Sequence, residues 1–308
     1  MKSVNPIHQW LPMVILVLGT IALGFSSLFV LWANAPGMVA AFYREGLAAM
    51  IMFLPIWILT KKERPFSKKH VGWAILAGIF FVADIALWNT SLFMTSAANA
   101  TLFNNTSVLW VGLAAVFMFK EKLSMPFWLG LFTAFIGMVI IVGSDFLKHP
   151  NIGWGDFLAM IAAVGYAGFF LATQRSREHL GVLSSFLISA IAGALFIAPV
   201  CLLMGYHLFG YSHTAYLNFL GLAVVTQIIG YIAINYALGH LPATMVSSIV
   251  LLQPLVTAVL AAIFLGQPIE PNQIIGGAFV LTGILIVHRS RQRLSTQVIE
   301  VRDEEFNI

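Results

Sequence analysis

Ten apolar stretches, separated by short breaks that contain polar residues, proline or glycine, dominate this sequence. They cover residues 11–32, 38–60, 71–92, 97–119, 125–145, 154–174, 182–205, 215–238, 243–266 and 272–288. Most are close to the roughly 20 residues that a helix needs to cross the hydrocarbon core of a bilayer. Only 9% of the residues are charged, against about 25% in soluble proteins. The sequence therefore predicts an all-α membrane protein with ten transmembrane helices.

The basic residues indicate how these helices are oriented, because short loops rich in Lys and Arg stay on the cytoplasmic side. With a cytoplasmic N-terminus, 14 of the 16 Lys and Arg residues fall in the cytoplasmic loops and terminal segments. Of the other two, Lys148 falls outside and Arg44 lies within a helix. We therefore expect both termini in the cytoplasm, an arrangement that explains the net charge of +4 without an acidic partner.

The chain contains a weak internal repeat. A shift of 146 residues aligns helices three to five with helices eight to ten, without a gap. It places Asn89 on Asn235, Ala97 on Ala243, Gly130 on Gly276 and Gly137 on Gly283. Because each half has five helices, an odd number, the second half must enter the membrane from the opposite side. The sequence thus predicts two inverted five-helix repeats, an architecture found in many secondary transporters, with the site between the halves near the midplane.

Several short motifs carry a resemblance to a known family. In the first half they are residues 96–101 (SAANAT), 109–111 (LWV), 120–123 (KEKL) and the pair Gly130 and Gly137; in the second half, residues 242–244 (PAT), Gln253-Pro254 and Gly276 to Gly283. These motifs resemble the EamA-type repeat of the drug/metabolite transporter superfamily. The resemblance implies a first repeat over residues 1–148, an inverted second repeat over 149–288, and a cytoplasmic tail of basic and acidic residues over 289–308. It also implies a ten-helix carrier of small organic solutes, often directed outward, and fits a bacterial inner (plasma) membrane.

The two halves depart from the family pattern in different places. The acidic residue that usually closes the fourth helix of the repeat is Glu121 in the first half but Gln267 in the second. The usual proline of that helix is Pro254 in the second half, whereas the first half has Val108. We therefore expect the two halves, and the gates that they form, to be unequal.

Three ionisable side chains lie well inside the predicted helices, away from their ends: Arg44, Glu45 and Asp84. Such residues are costly in a membrane and usually mark a transport pathway. In a functional role, Asp84 would bind a cationic group or a proton. In the alternative interpretation, Arg44 and Asp84 form a fixed ion pair that joins two helices. Glu45 comes too near the predicted membrane surface for us to assign it a role.

Polar side chains on helices three, four, eight and nine suggest a water-filled cavity between the halves. Gln227, Tyr231 and Asn235 are spaced by four residues and share one face of a helix. The alternative role of such residues is to hydrogen-bond neighbouring helices together, and the aromatic residues that could wall a cavity (Phe103, Trp110, Tyr166 and Phe169) could equally be core. The predicted substrate- or ion-binding residues are Arg44, Asp84, Trp88, Asn89, Asn99, Asn104, Trp110, Tyr166, Gln227, Tyr231, Asn235 and Ser248.

These observations favour a secondary transporter that exports small metabolites or amino-acid-like solutes by alternating access, driven by proton exchange or by the solute gradient. The alternative is a passive facilitator with the same fold. An enzyme is not expected, because neither a phosphate-binding GxxxxGK[ST] loop nor an HExxH motif is present. With the single cysteine Cys201 and no metal-ligand spacing, no metal or cofactor is expected. The expected partners are a small-molecule substrate, the lipid bilayer and, with coupling, protons, but no nucleic acid.

Overall fold

The computed structural model describes residues 7–60, 68–95, 97–118, 120–121, 123–148, 153–265 and 269–306. Within these ranges every regular element is a helix. Lys2, Lys61, Lys62, Arg64, Ser96, Lys122 and Gln267, on which parts of the orientation, motif and asymmetry arguments rest, lie outside them.

The helices follow the predicted order. In the first half they are α1 (Ile7–Leu23), α2 (Ser26–Ala33), α3 (Gly37–Leu59), α4 (Lys68–Ser91), α5 (Ala97–Asn105), α6 (Ser107–Phe117) and α7 (Met125–Lys148). In the second half they are α8 (Trp154–Arg177), α9 (Val182–Leu203), α10 (His213–Gly221), a π-helical segment (Leu222–Tyr231), α11 (Ile232–Leu238), α12 (Ala243–Val250), α13 (Gln253–Leu265) and α14 (Pro271–Phe306).

Nine helical spans in the described part of the chain are long and apolar enough to cross a membrane. A shorter apolar segment, Met125–Ile141, occupies the place of the fifth predicted span, and its helix α7 continues to Lys148. The prediction of an all-α membrane protein is confirmed.

Three of the predicted spans are not continuous helices, which the apolar pattern did not reveal. The first is interrupted between Leu23 and Ser26, the fourth at Thr106, and the ninth at Leu251 and Leu252. The last two interruptions are separated by the same 146 residues as the internal repeat (252 − 106). The two halves therefore interrupt their helices at equivalent positions of the repeat.

The eighth span contains ten residues of π-helix, Leu222–Tyr231. A π-helix widens the turn to an i→i+5 hydrogen bond and is frequently found at functional sites. The predicted stripe of Gln227, Tyr231 and Asn235 assumed a uniform α-helix, so its geometry is altered here, although all three side chains remain buried.

The last helices of the two halves, α7 and α14, lie side by side and contact each other at glycine residues. A β-carbon on Gly130 would lie 2.8 Å from the carbonyl oxygen of Gly283, and one on Gly137 would lie 2.5 Å from that of Gly276. The repeat aligns Gly130 with Gly276 and Gly137 with Gly283, so exchanging the halves maps one contact onto the other. This reciprocal pairing is what a pseudo-two-fold axis between α7 and α14 produces.

The final helix is longer than expected. The tenth span was predicted to end at residue 288 and a tail to follow, but α14 continues to Phe306. Its extension has neither glycine nor proline and is rich in Arg, Glu and Gln, which are good helix formers.

Candidate functional site

A polar cavity lies in the middle of the helix bundle. Its walls come from the three interrupted spans and from α3, α4, α8 and the π-helical segment. The lining residues are Leu23, Ser26, Arg44, Asp84, Ile85, Trp88, Thr101, Asn104, Asn105, Tyr166, Tyr231 and Gln253. The empty space between them, including its open mouth, is about 380 Å³.

Each helix interruption places polar groups at this cavity. The gap between α1 and α2 leaves the carbonyl groups of Leu23 and Gly24 outside a regular helix. The Gln253 amide donates to the Leu23 carbonyl at 3.3 Å, and the Thr257 hydroxyl donates to the Gly24 carbonyl at 3.2 Å. Unsatisfied backbone groups cost several kcal/mol each in a bilayer, so the ninth span stabilises the interruption of the first.

Arg44 projects from α3 into the cavity wall and is 1% exposed. Its Nε donates to Gln227 Oε1 at 2.9 Å and its Nη1 donates to Ser26 Oγ at 3.0 Å. The guanidinium carbon also lies 5.4 Å from the ring centre of Phe81 and 5.1 Å from that of Tyr231, within the range of cation–π attraction. These two hydrogen bonds use two of the five N–H donors of the side chain.

Asp84 faces the same cavity from α4 and is 2% exposed. The side chain of Asn104, across the cavity on α5, hydrogen-bonds the carboxyl group, whereas Asp84 Oδ1 has no partner. Arg44 acts on Asp84 through its charge, but among the described residues the two form no direct ion pair. The fixed ion pair considered from the sequence is therefore absent from this conformation.

Aromatic side chains complete the wall. The Tyr231 hydroxyl donates to the Tyr166 hydroxyl at 3.3 Å, and both rings are buried. Trp88 is also buried, and its indole Nε1 has no partner. With Asp84 Oδ1 and Asn104 Oδ1, it gives the cavity one donor and two acceptors with no partner of their own.

The structure brings together six of the twelve residues predicted to bind substrate or ions: Arg44, Asp84, Trp88, Asn104, Tyr166 and Tyr231 all line the cavity. Gln227 does not line the cavity but accepts a hydrogen bond from Arg44. Asn99 is buried in α5 but does not line the cavity.

Three of the predicted polar residues hydrogen-bond backbone carbonyl groups instead of lining the cavity. Asn89 donates to the Gly37 carbonyl at 3.0 Å and so joins α4 to α3. Asn235 and Ser248 each donate to the backbone carbonyl four residues earlier in the chain. None of the three lines the cavity, because each points at neighbouring backbone.

Trp110 was predicted to bind substrate, but the structure places it away from the cavity. It is 43% exposed on the outer surface of the bundle, on α6. The interruption at Thr106 begins the new helix α6, whose buried side chains include Val108 and Val111. Of the four aromatic residues proposed as a wall, only Tyr166 reaches the cavity.

Two features of the site escaped the sequence interpretation. Ser26 lies in an apolar stretch that reads as one continuous helix, and only the pair Gly24 and Ser26 hinted at an interruption. Glu45 was placed near the membrane surface but is fully buried, at 0% exposure. Its helix α3 is covered at this level by α9 of the second half, which the sequence pattern does not reveal.

The comparisons with known proteins agree with this architecture. The model of the EamA-like transporter family matches twice, over residues 6–143 and 153–289. The chain is 27% identical over 258 residues to the uncharacterized transporter YyaM of Bacillus subtilis (strain 168), covering 80% of this chain and 82% of YyaM. It is 28% identical over 287 residues to the threonine/homoserine exporter RhtA of Escherichia coli (strain K12), covering 90% of this chain and 92% of RhtA.

One solved crystal structure superposes on the chain with a TM-score of 0.75 at 14% sequence identity. The superposition covers 92% of this chain and 98% of the other. The two proteins therefore share a fold.

Proposed function

Because this chain belongs to the EamA-like transporter family, we propose that it is a secondary transporter that exports small zwitterionic, amino-acid-like solutes by alternating access. It acts in the plasma membrane with both termini in the cytoplasm, the orientation that 14 of its 16 basic residues favour. The five-helix halves, residues 1–148 and 149–288, move against each other around the central cavity.

One observation carries the proposal: a buried arginine and a buried carboxylate line one cavity without forming an ion pair with each other. An amino acid carries the complementary pair of charges. Its carboxylate suits the unused donors of Arg44, because a guanidinium matches a carboxylate with two parallel hydrogen bonds. Its ammonium suits Asp84 Oδ1 and Asn104 Oδ1, which have no partner of their own.

The polar groups around the cavity suit a small solute with a short polar side chain. Thr101, Asn105 and Gln253 offer hydroxyl and amide groups around it. The name of the relative RhtA, a threonine/homoserine exporter, supports the same solute class.

The interrupted helices support the alternating-access mechanism. Transporters with inverted repeats typically bind their substrate where discontinuous helices end near the midplane. Here the ends of α1 and α5 and the start of α13, at Leu23, Asn105 and Gln253, all line the cavity. Relative movement of the two halves would alter both rims of the cavity while leaving Arg44 and Asp84 at its centre.

The test is transport by purified protein in proteoliposomes. Three solutes of nearly equal size separate the two charges: L-threonine, its amide, which lacks the carboxylate, and its 2-hydroxy acid analogue, which lacks the ammonium. We expect transport of threonine to exceed that of either analogue at least tenfold, and Asp84→Asn and Arg44→Gln each to lose it. Glu178→Gln and Arg175→Gln, which remove the same charges at the helix end, are the matched controls.

Equal transport of all three solutes, or full activity of both cavity variants, would contradict the zwitterion proposal. Counterflow separates a carrier from the passive facilitator. Threonine loaded inside the vesicles should accelerate uptake of labelled threonine by a carrier, whereas a facilitator that opens to both sides at once shows no such acceleration.

A further inference from the structure

Glu45 is a buried carboxylate that the solute cavity does not use. We propose that Glu45 binds the proton that is exchanged for solute, at a site separate from the cavity lined by Arg44 and Asp84. This inference rests on the proposed function and assigns its coupling ion to one side chain. In each cycle the carboxylate takes one proton from water on one side of the membrane and releases one to the other side.

The Glu45 carboxyl group is closed off from solvent by the surrounding helices. The side chain is 0% exposed, and neither carboxylate oxygen has a hydrogen-bond partner. Its polar neighbours are the Arg44 guanidinium and the Gln227 amide, and these two are bonded to each other. Gly193 of α9 makes room for it, because a β-carbon there would lie 3.3 Å from Glu45 Cγ and 3.4 Å from Oε2.

The charges around Glu45 do not balance without a proton. Arg44 supplies one positive charge, and it faces two fully buried carboxyl groups, Glu45 on its own helix and Asp84 on α4. Tyr231 of the π-helical segment is the other titratable group near Glu45, while α9 contributes glycine at this level. With both carboxylates ionised the cluster carries one excess negative charge. In the solute-free carrier, a single bound proton neutralises the cluster.

The position of Glu45 relates its proton to the movement of the two halves. Its helix α3 belongs to the first half, whereas α9 and the π-helical segment, which pack over it, belong to the second. An ionised carboxylate needs water or several hydrogen-bond donors, whereas the closed interface keeps water out and leaves Glu45 with Gln227 and Arg44 as its polar neighbours. The interface between α3 and α9 therefore closes over a protonated Glu45, and the proton leaves when the halves separate and water enters.

Asp84 is less suited to this role, because solute binding already accounts for a carboxyl group at its position. It lines the cavity, accepts a hydrogen bond from Asn104 and presents a free oxygen to a solute cation. Glu45 does not line the cavity, so binding of solute gives no reason for a carboxylate at this position.

The first test detects the proton directly and does not depend on transport. Infrared spectra of the reconstituted protein, recorded over a pH series, report the C=O stretch of a protonated, buried carboxylic acid. We expect a band in the wild type that disappears with rising pH, is absent from Glu45→Gln, and persists in Asp84→Asn and in the control Glu178→Gln. A band that is missing from the wild type, or that persists in Glu45→Gln, would overturn the proposal.

The second test measures coupling in proteoliposomes. In Glu45→Gln, solute counterflow should remain within about twofold of the wild type, while accumulation driven by a pH gradient and the accompanying proton flux should be lost. Proton-driven accumulation that survives in Glu45→Gln would refute the role of Glu45 and leave the solute proposal intact. An absence of threonine counterflow in the wild type would instead refute the solute proposal, and the infrared result would still decide the proton site.

Stability does not obscure these outcomes. Glutamine has the shape of a protonated glutamate, so Glu45→Gln should elute as a single species and melt no lower than the wild type. If it does not fold, Glu45→Asp replaces it: a shorter carboxyl group at this site should shift the frequency of the band, and an unshifted band would overturn the proposal.

Discussion

Gly78 offers the sharpest test of how the two halves pack. In α4, a β-carbon at this position would lie 2.1 Å from the carbonyl oxygen of Ser189 in α9. Ordinary contact begins at about 3.4 Å, so Gly78→Ala requires the two helices to separate by about 1.3 Å. The atom that it meets belongs to the backbone and cannot rotate away.

Gly72, six residues earlier in the same helix, is the matched control, because a β-carbon there meets nothing within 4 Å. Both substitutions gain the helix propensity of alanine over glycine, about 1 kcal/mol. Only Gly78→Ala adds the cost of overpacking, typically about 1–3 kcal/mol. We therefore expect Gly72→Ala to be slightly more stable than the wild type, and Gly78→Ala to be less stable than Gly72→Ala by about 1–3 kcal/mol.

The measurement is reversible unfolding in mixed detergent micelles with increasing dodecyl sulfate, followed by near-UV circular dichroism. The difference between the two free energies of unfolding isolates the clash, since the propensity gain is common to both. If Gly78→Ala is as stable as Gly72→Ala, α4 and α9 are not in backbone contact at Gly78.

Three further substitutions test other parts of the structure. Gln253→Leu removes the donor to the Leu23 carbonyl, so it should lower the free energy of unfolding by about 1–3 kcal/mol and weaken solute binding; an unchanged unfolding midpoint would contradict the role of Gln253 at the interruption. Trp110→Phe should leave threonine transport within twofold of the wild type, because Trp110 lies on the outer surface; a large loss would restore it to the site. Tyr43→Phe removes a 2.6 Å hydrogen bond to the Leu208 carbonyl, so hydrogen exchange of the loop after α9 should accelerate severalfold, and equal exchange rates would mean that the bond does not hold that loop.

The site was only partly predictable from the sequence. Arg44 and Asp84 stand out because ionisable residues inside apolar stretches are rare, and both line the cavity. Polar but uncharged residues gave no such guide: Asn104 lines the cavity, whereas Asn89 caps a neighbouring backbone carbonyl. Serine, threonine and asparagine suit either role in a membrane helix, so only their neighbours in space distinguish the two.

Glu45 shows the same limit more strongly. Position along α3 suggested a side chain near the membrane surface, but its exposure depends on α9, which begins well over a hundred residues later. The two adjacent residues Arg44 and Glu45 also point to different surroundings, one to the cavity and the other to the interface between the halves.

By itself, the sequence determined that this chain crosses a membrane, the number and order of its spans, and the repeat that relates its halves. These properties depend on hydropathy and spacing along the chain, which act locally and need no knowledge of packing. The tertiary structure decided where the helices break, which polar side chains meet, and which charges stay unpaired. The interruption after Leu23 persists because Gln253, 230 residues away, satisfies its free carbonyl. A backbone carbonyl in a bilayer can accept a hydrogen bond from any donor that packs against it. The tertiary structure therefore determines which residue is the donor.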